Sequence, residues 1–362
     1  MTSFLNFKKA IVILAILYPI IAFGQERDTL KVDAVELING REVQGQTKYS
    51  VARDNYVYLF AQEKNKKRFE KSPEQFEIQL GGACARMGIL SGKGDTDLYT
   101  VHENRLFIFA STSCKNTFLK DPSLVLEQDD ARPETTPELL SQGQALLQKA
   151  IQAIGGEDKL NSLHSYQERI VTVNEYEGRN VEISKIHTFV IPNKLRVDDT
   201  WDTYAWASVV SEMDAFKLSS SGYRAMVPIQ VHALRRQFLR NPIFLLSNRK
   251  MEGFIAVASG AERVAGRELE MLTLFIDGAS STLGIDPKSG RILSIRYKDF
   301  GPGMFLGTVE KHFSDYQIVG GLVLPMTITG TFDGQIVPKW SFTIDGLEIN
   351  PVIEDKFFSR TN

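Results

Sequence analysis

The sequence predicts an α+β protein in which a small duplicated strand-helix domain is followed by a larger antiparallel sheet covered by helices. Three observations predict it. One stretch is written twice at a constant offset of 49 residues. From Ser165 onward, short Gly-, Asp- and Asn-bearing turns separate runs rich in β-branched and aromatic residues. One segment with helical apolar spacing precedes that pattern and another interrupts it. At 362 residues, 43% hydrophobic and 24% charged, the chain is long enough for about two domains with a real core.

The first element is a leader. Lys8 and Lys9 precede the uncharged run Ala10 to Gly24, in which Ala22 and Gly24 are the small residues a signal peptidase reads, so residues 1–24 are expected to be a cleaved secretory signal. The run has 15 residues and contains Pro19, short of the ~20 a spanning helix needs. No stable transmembrane segment is expected after cleavage, and no cysteine lies near the cleavage point to carry a lipid anchor. Removal leaves 40 basic against 44 acidic side chains without a basic block, which argues against nucleic acid as a partner.

The repeat follows, within a first domain read as residues 28–127. Its copies run from Asp54 to Phe76 and from Glu103 to Val125, pairing Asn55 with Asn104, Phe60 with Phe109, Phe69 with Phe118 and Pro73 with Pro122. Each copy opens with a strand-like run, Tyr56 to Phe60 or Leu106 to Phe109. Each then turns charged around one apolar anchor, Phe69 or Phe118, as a short helix does. Ser72-Pro73 with Gln75 predicts an N-cap and a restarted helix, and Asp121-Pro122 repeats the signal. The two cysteines of the chain are Cys84, in the segment Gly81 to Gly88, and Cys114, inside the second copy. In an oxidising compartment a disulfide between them would close a 29-residue loop, worth roughly 3 kcal/mol. A two-thiolate site for a soft metal such as Cu(I) and two unrelated buried thiols are the other readings. Tetrahedral zinc would need two more ligands, and His102, the only histidine here, reads as a strand residue.

Residues 128–138, acidic and proline-bearing, read as a linker. The second domain, 139–362, opens with a helix introduced by Thr136-Pro137-Glu138. Its apolar residues, among them Leu140, Leu147, Ile151 and Ile154, keep a spacing of three to four, and Gly155-Gly156 end it. Hairpin turns are then expected at Glu177 to Asn180, Asp286 to Gly290, Gly320-Gly321 and Asp333-Gly334. Val181, Ile183, His187 and Phe189 share one face by period two, so His187 is read as a sheet residue and not a ligand. Ala225 to Ser247 interrupts the strands with a helical stripe that Pro242 must break or kink.

Chemistry does not announce itself. No nucleophile elbow, P-loop, dinucleotide fingerprint or zinc-protease motif is present, and the five histidines are scattered. Asp198, Asp199 and Asp202, near Trp201 and Trp206, are the best candidates for a carboxylate site.

Two resemblances extend this reading. The run YLFAQEKNKKRFEKSPEQFEIQLGGACA resembles the core of a YHS domain, and FASTSCKNTF is similar to the metal-binding pattern of YHS and TRASH-type modules, with Cys114 at the second cysteine and Ala110 at the first. This implies a module that binds a metal or a protein partner of the envelope. The segments AIQAIGGEDKLNSLHSY, IDPKSGRILSIRYKDFG and FSDYQIVGGLVLPMTITG together resemble the LolA/LppX-like lipoprotein-sorting fold. That resemblance implies a curved, unclosed half-barrel covered by helices, with an apolar cavity for acyl chains, in a periplasmic protein of a Gram-negative bacterium. Trp201, Trp206, Trp340, Phe238 and Phe244 are then expected to bind a lipid or acylated protein, with Phe238 and Phe244 over the mouth, and no catalysis is expected. Phe305 belongs to the same set of large apolar side chains. The alternatives are a copper or heavy-metal handling protein using Cys84 and Cys114, and a hydrolase using the carboxylates of the second domain.

Overall fold

The computed structural model describes residues 27–122, 129–176, 178–220, 222–301 and 306–360. The expected signal segment lies outside them, as does Phe305.

The front of the chain forms β1 (Asp28–Leu30), α1 (Ala34–Ile38), β2 (Gln46–Arg53), β3 (Tyr56–Phe60), α2 (Glu63–Lys71), β4 (Asp95–His102), β5 (Arg105–Phe109) and α3 (Thr112–Lys120). The repeat is a repeat of structure. β2-β3-α2 and β4-β5-α3 are each a hairpin followed by a helix, and the turn residues Asp54 and Glu103 both take φ 48°. The anchor rings match too: Phe60 to Phe69 and Phe109 to Phe118 both lie 5.2 Å apart between centroids. The restarted helix after Ser72 does not form. Ser72 makes no cap hydrogen bond and Pro73–Gln75 is one 3-10 turn, because the chain turns away to bury Phe76 and to pair Ile78 with Leu106. Cys84 and Cys114 carry free thiols, so of the three readings the disulfide is not formed, yet the two cysteine side chains do meet. Burial pushes the Cys84 thiol up, against backbone N–H groups of Ala110 and Arg86 that donate to it.

After α4 (Pro137–Ile154) and α5 (Glu157–Asn161) come β6 (Ser165–Tyr176), β7 (Arg179–Val190), β8 (Lys194–Trp201), β9 (Tyr204–Val210), β10 (Ala215–Ser219) and β11 (Gly222–Ala225). Two helices, α6 (Pro228–Phe238) and α7 (Pro242–Ser247), then precede β12 (Ile255–Val264), β13 (Arg267–Ile276), β14 (Ala279–Ile285), β15 (Ile292–Phe300), β16 (Leu306–Val319), β17 (Leu322–Phe332) and β18 (Gln335–Ile349). These strands make one 13-stranded sheet of two antiparallel meanders, β6 to β11 and β12 to β18, joined where β18 pairs with β6. Its end strands β11 and β12 do not pair with each other, so the sheet is open. It is also curved, since side chains from β8 and β15, on opposite flanks, line one cavity.

Why the helices sit where they do follows from their stripes. α4 begins at the Thr136 cap, which accepts from the Leu139 N–H at 3.2 Å, and ends at Gly155 with φ 141°. It lies so close on β12 that a Cβ at Gly143 would fall 2.4 Å from the Ala256 carbonyl oxygen. α6 and α7 bury Leu234, Phe238, Phe244 and Leu246 against the sheet's inner face, in one core with Leu147, Ile151 and Leu272. The acidic stretch before α4 is strapped down where it is described: Asp130 meets the buried Arg236 at 3.2 Å and accepts the Ser280 N–H at 2.8 Å. The front module packs on the far flank of the sheet, Asn55 exchanging two 2.8 Å hydrogen bonds with the backbone of Ala225. Lys217 donates there to the carbonyls of Leu90 and Ser91 at 2.7 and 3.0 Å. No helix among the described residues is long and apolar enough to cross a membrane, which says nothing of strands.

Candidate functional site

Alternation along the strands decides which side chains meet inside the curve. On β16 the inward set is Val309, Lys311 and Phe313; on β6 it is Tyr166, Glu168 and Ile170; on β15 it is Tyr297 and Asp299. With the break between α6 and α7 as a lid, they enclose a cavity of about 550 Å³, within the size range of small-molecule sites. Its walls are chiefly aliphatic and aromatic, with a polar cluster set into them.

Glu168 is the centre of that cluster. It is 4% exposed, accepts from the Tyr166 hydroxyl at 2.6 Å and the Asn241 amide at 3.0 Å, and lies 2.9 Å from His187 Nδ1. Each donor is there for a local reason. His187 is Glu168's direct cross-strand neighbour in the β6–β7 ladder. Asn241 is held by the Pro242 break, its Oδ1 capping α7 at the Ile243 N–H at 2.9 Å while its amide turns to the carboxylate. Burial works to raise the Glu168 pKa, but the bonds from His187 and Tyr166 outweigh it and hold the carboxyl below its ordinary value. The Tyr166 hydroxyl is driven up by the same burial and by Glu168's charge, so it stays a donor.

The cations divide into matched and unmatched. Arg240 meets Asp299 at 2.5 Å and stacks 5.0 Å from the Tyr297 ring centre, and Lys185 meets Asp199 at 3.1 Å. Lys311 has no carboxylate within 4.0 Å among the described residues. Its ammonium sits 5.6 Å from the Tyr297 ring centre. Burial opposes its charge, but Tyr297 and the fields of Asp299 and Glu168 raise its pKa above the ordinary lysine value, so it remains a cation.

Of the residues expected to bind ligand, Trp201, Trp206 and Trp340 line the cavity, and they are all the tryptophans of the chain. Trp201 and Trp206 stand 42% and 40% exposed at the β8–β9 hairpin, forming a rim. Trp340 lies over Gly330, where an added Cβ would come within 2.8 Å of the indole. Phe238 and Phe244 are a correction. They do not line the cavity but pack beneath it, 3% and 5% exposed, 5.6 Å apart and against Phe189. The helices turn their apolar stripe onto the sheet and leave Gln237, Arg240 and Asn241 facing the cavity. The expected carboxylate site is also not assembled. Asp198, Asp199 and Asp202 each pair with a different cation, Arg196 at 2.7 Å, Lys185 at 3.1 Å and Arg179 at 2.6 Å. Cys84 and Cys114 meet in the front module, where no cluster of three or more metal-ligating groups exists among the described residues. Sequence reading missed Glu168, Asn241 and Lys311. The signal for Lys311 was a lysine between Val309 and Phe313 in a period-two strand, a charge in an inward lane.

No family model matches the chain, and no curated protein matches it. Among solved structures, a DUF1329 family protein from Desulfovibrio piger is similar over 60% of this chain and 97% of its own, with 14% identity and a TM-score of 0.38. A domain described as that of an outer membrane lipoprotein-sorting protein from Vibrio parahaemolyticus is similar over 61% and 97%, with 9% identity and a TM-score of 0.38. A LolA superfamily protein from Nitrosomonas europaea is similar over 60% and 97%, with 10% identity and a TM-score of 0.32.

Proposed function

We propose that this chain is an exported, non-enzymatic carrier of the Gram-negative periplasm, whose curved sheet holds the alkyl part of a lipid or of an acylated protein. The observation that carries the reading is the apolar cavity of about 550 Å³ inside the open sheet, rimmed by Trp201 and Trp206. Each methylene moved into it from water gains roughly 0.8 kcal/mol. A chain of a dozen carbons therefore suffices for firm binding even after the cost of ordering it. Native mass spectrometry of gently purified protein, followed by organic extraction, is expected to release an alkyl-chain compound. A delipidated protein that takes up neither fatty acids nor phospholipids would overturn the reading.

The front module has a second reading as a soft-metal or partner-binding unit, favoured by the contact of Cys84 with Cys114. Two thiolates suit linear Cu(I) and not tetrahedral zinc. Against it stands the burial of Cys84, which disfavours its thiolate. Titration with Cu(I) alone decides: loss of both reactive thiols at one equivalent supports metal handling, and unchanged thiol reactivity refutes it.

A further inference from the structure

We infer that the ligand of the cavity is a monoanionic, single-chain amphiphile, a long-chain carboxylate, whose head group lies inside the sheet against Lys311. This deepens the carrier reading and rests on it. The first ground is charge. The cavity is lined by Lys185, Arg240 and Lys311 against Glu168, Asp199 and Asp299, with Arg291 exposed at its edge over the Tyr316 ring. Arg240 and Lys185 are taken by Asp299 and Asp199, and Glu168 is occupied by Tyr166, His187 and Asn241. Lys311 is thus the interior cation whose ammonium has no bonded carboxylate among the described residues. Asp299 and Glu168 act on that ammonium only from beyond ion-pair distance, and an incoming carboxylate would bond it directly.

The second ground is position. Lys311 is five residues into β16 from Leu306, which at about 3.3 Å per residue puts it roughly 16 Å from that strand's rim end. Its side chain is half-buried and opens onto the cavity. Its neighbours in the same lane are Val309 and Phe313, so an alkyl chain attached to the head meets apolar wall directly. Across the ladder its partner is Gly330, the one position in that inward lane of β17 without a side chain, over which Trp340 is laid. Head and tail therefore have adjoining places, a charge and a greasy lane.

The third ground is size and valence. A single interior ammonium without a bonded carboxylate offers one ion pair, which a carboxylate head fills. A cavity of about 550 Å³ is of the size that takes one drug-sized molecule, well short of both chains of a diacyl phospholipid.

The test uses the full delipidated chain and two probes of equal tail length, palmitate and hexadecanol, with tryptophan fluorescence as readout because all three tryptophans line the cavity. Wild type is expected to bind palmitate at least tenfold more tightly than hexadecanol. Lys311→Met is expected to abolish that preference while keeping hexadecanol affinity, and Lys311→Arg to retain it. Retained hexadecanol binding with circular dichroism unchanged establishes that the Met variant is folded. Equal binding of both probes by wild type, or an undiminished palmitate preference in Lys311→Met, overturns the inference and leaves the carrier reading standing. Binding of neither probe overturns both. Tighter binding of dioleoyl phosphatidylglycerol than of palmitate overturns the single-chain assignment.

Discussion

Truncating Phe244 and truncating Trp340 should separate core from cavity. Phe244 is 5% exposed, with ring centroids of Phe189 and Phe238 at 5.0 and 5.6 Å in edge-to-face contact. Removing a buried phenyl ring costs about 3–5 kcal/mol, of which aromatic contacts account for roughly 0.5–1.5 kcal/mol per pair beyond area. Trp340 is half-buried on the cavity wall, touching Phe332 at 6.3 Å, so its truncation removes little packing and should cost roughly 1 kcal/mol. In urea titration, with m of about 3 kcal/mol/M, Phe244→Ala should lower the midpoint by about 1 M or more and Trp340→Ala by a few tenths. Fatty-acid binding measured below the transition should show the reverse order: near wild-type affinity for Phe244→Ala and a several-fold loss for Trp340→Ala. If Phe244→Ala proved within 1 kcal/mol of wild type and lost its ligand, the helices would be gating the cavity and the assignment of Phe244 to the core would be wrong.

Three further outcomes are expected. Because the folded-state pKa of Glu168 is depressed, its contribution to stability is present above the unfolded carboxyl pKa of about 4.3 and is lost as pH falls through the folded value. Glu168→Gln should therefore flatten the acid limb of a stability-pH curve, and an unchanged limb would show the cluster carries no net charge. Lys217 behaves oppositely: burial lowers its pKa to about 8, so the unfolded chain binds more protons between pH 8 and about 10.4 and stability rises with pH across that window. Lys217→Met should remove the rise, worth at most about 3 kcal/mol, as read by chemical denaturation at pH 7.5 and 10. Asn55→Ala, which leaves the Ala225 N–H and C=O without their 2.8 Å partner, should cost about 1–3 kcal/mol and raise hydrogen exchange at β11. Exchange unchanged at β11 would mean the front module is not held by this clamp.

Much of the fold was legible because it rests on local chemistry. The duplicated Phe60/Phe69 and Phe109/Phe118 pairs, the Thr136 cap and the Asp333-Gly334 turn with φ 46° and 77° are short-range devices, and each formed as its residues require. The helix expected after Ser72 failed for the converse reason: a long-range pairing of Ile78 with Leu106 overrode a local cap signal. The site was less legible. Trp201, Trp206 and Trp340 could be picked out as large rings in excess of surface need, but nothing local separates a ring that lines a cavity from Phe238 and Phe244, which fill a core.

What the sequence determined by itself was the hairpin turns with the strands beside them, the shared face of Val181, Ile183, His187 and Phe189, and the break at Pro242, since alternation and proline sterics act within a few residues. Only the tertiary structure decided that β18 returns to pair with β6, and hence that the Glu168–His187 pair of one hairpin, Asn241 and Lys311, drawn from three distant segments, line one hollow. The reason is physical: an open sheet can curl about its own side chains or around a space, and which it does depends on the summed volume of residues far apart in the chain, a quantity no local pattern records.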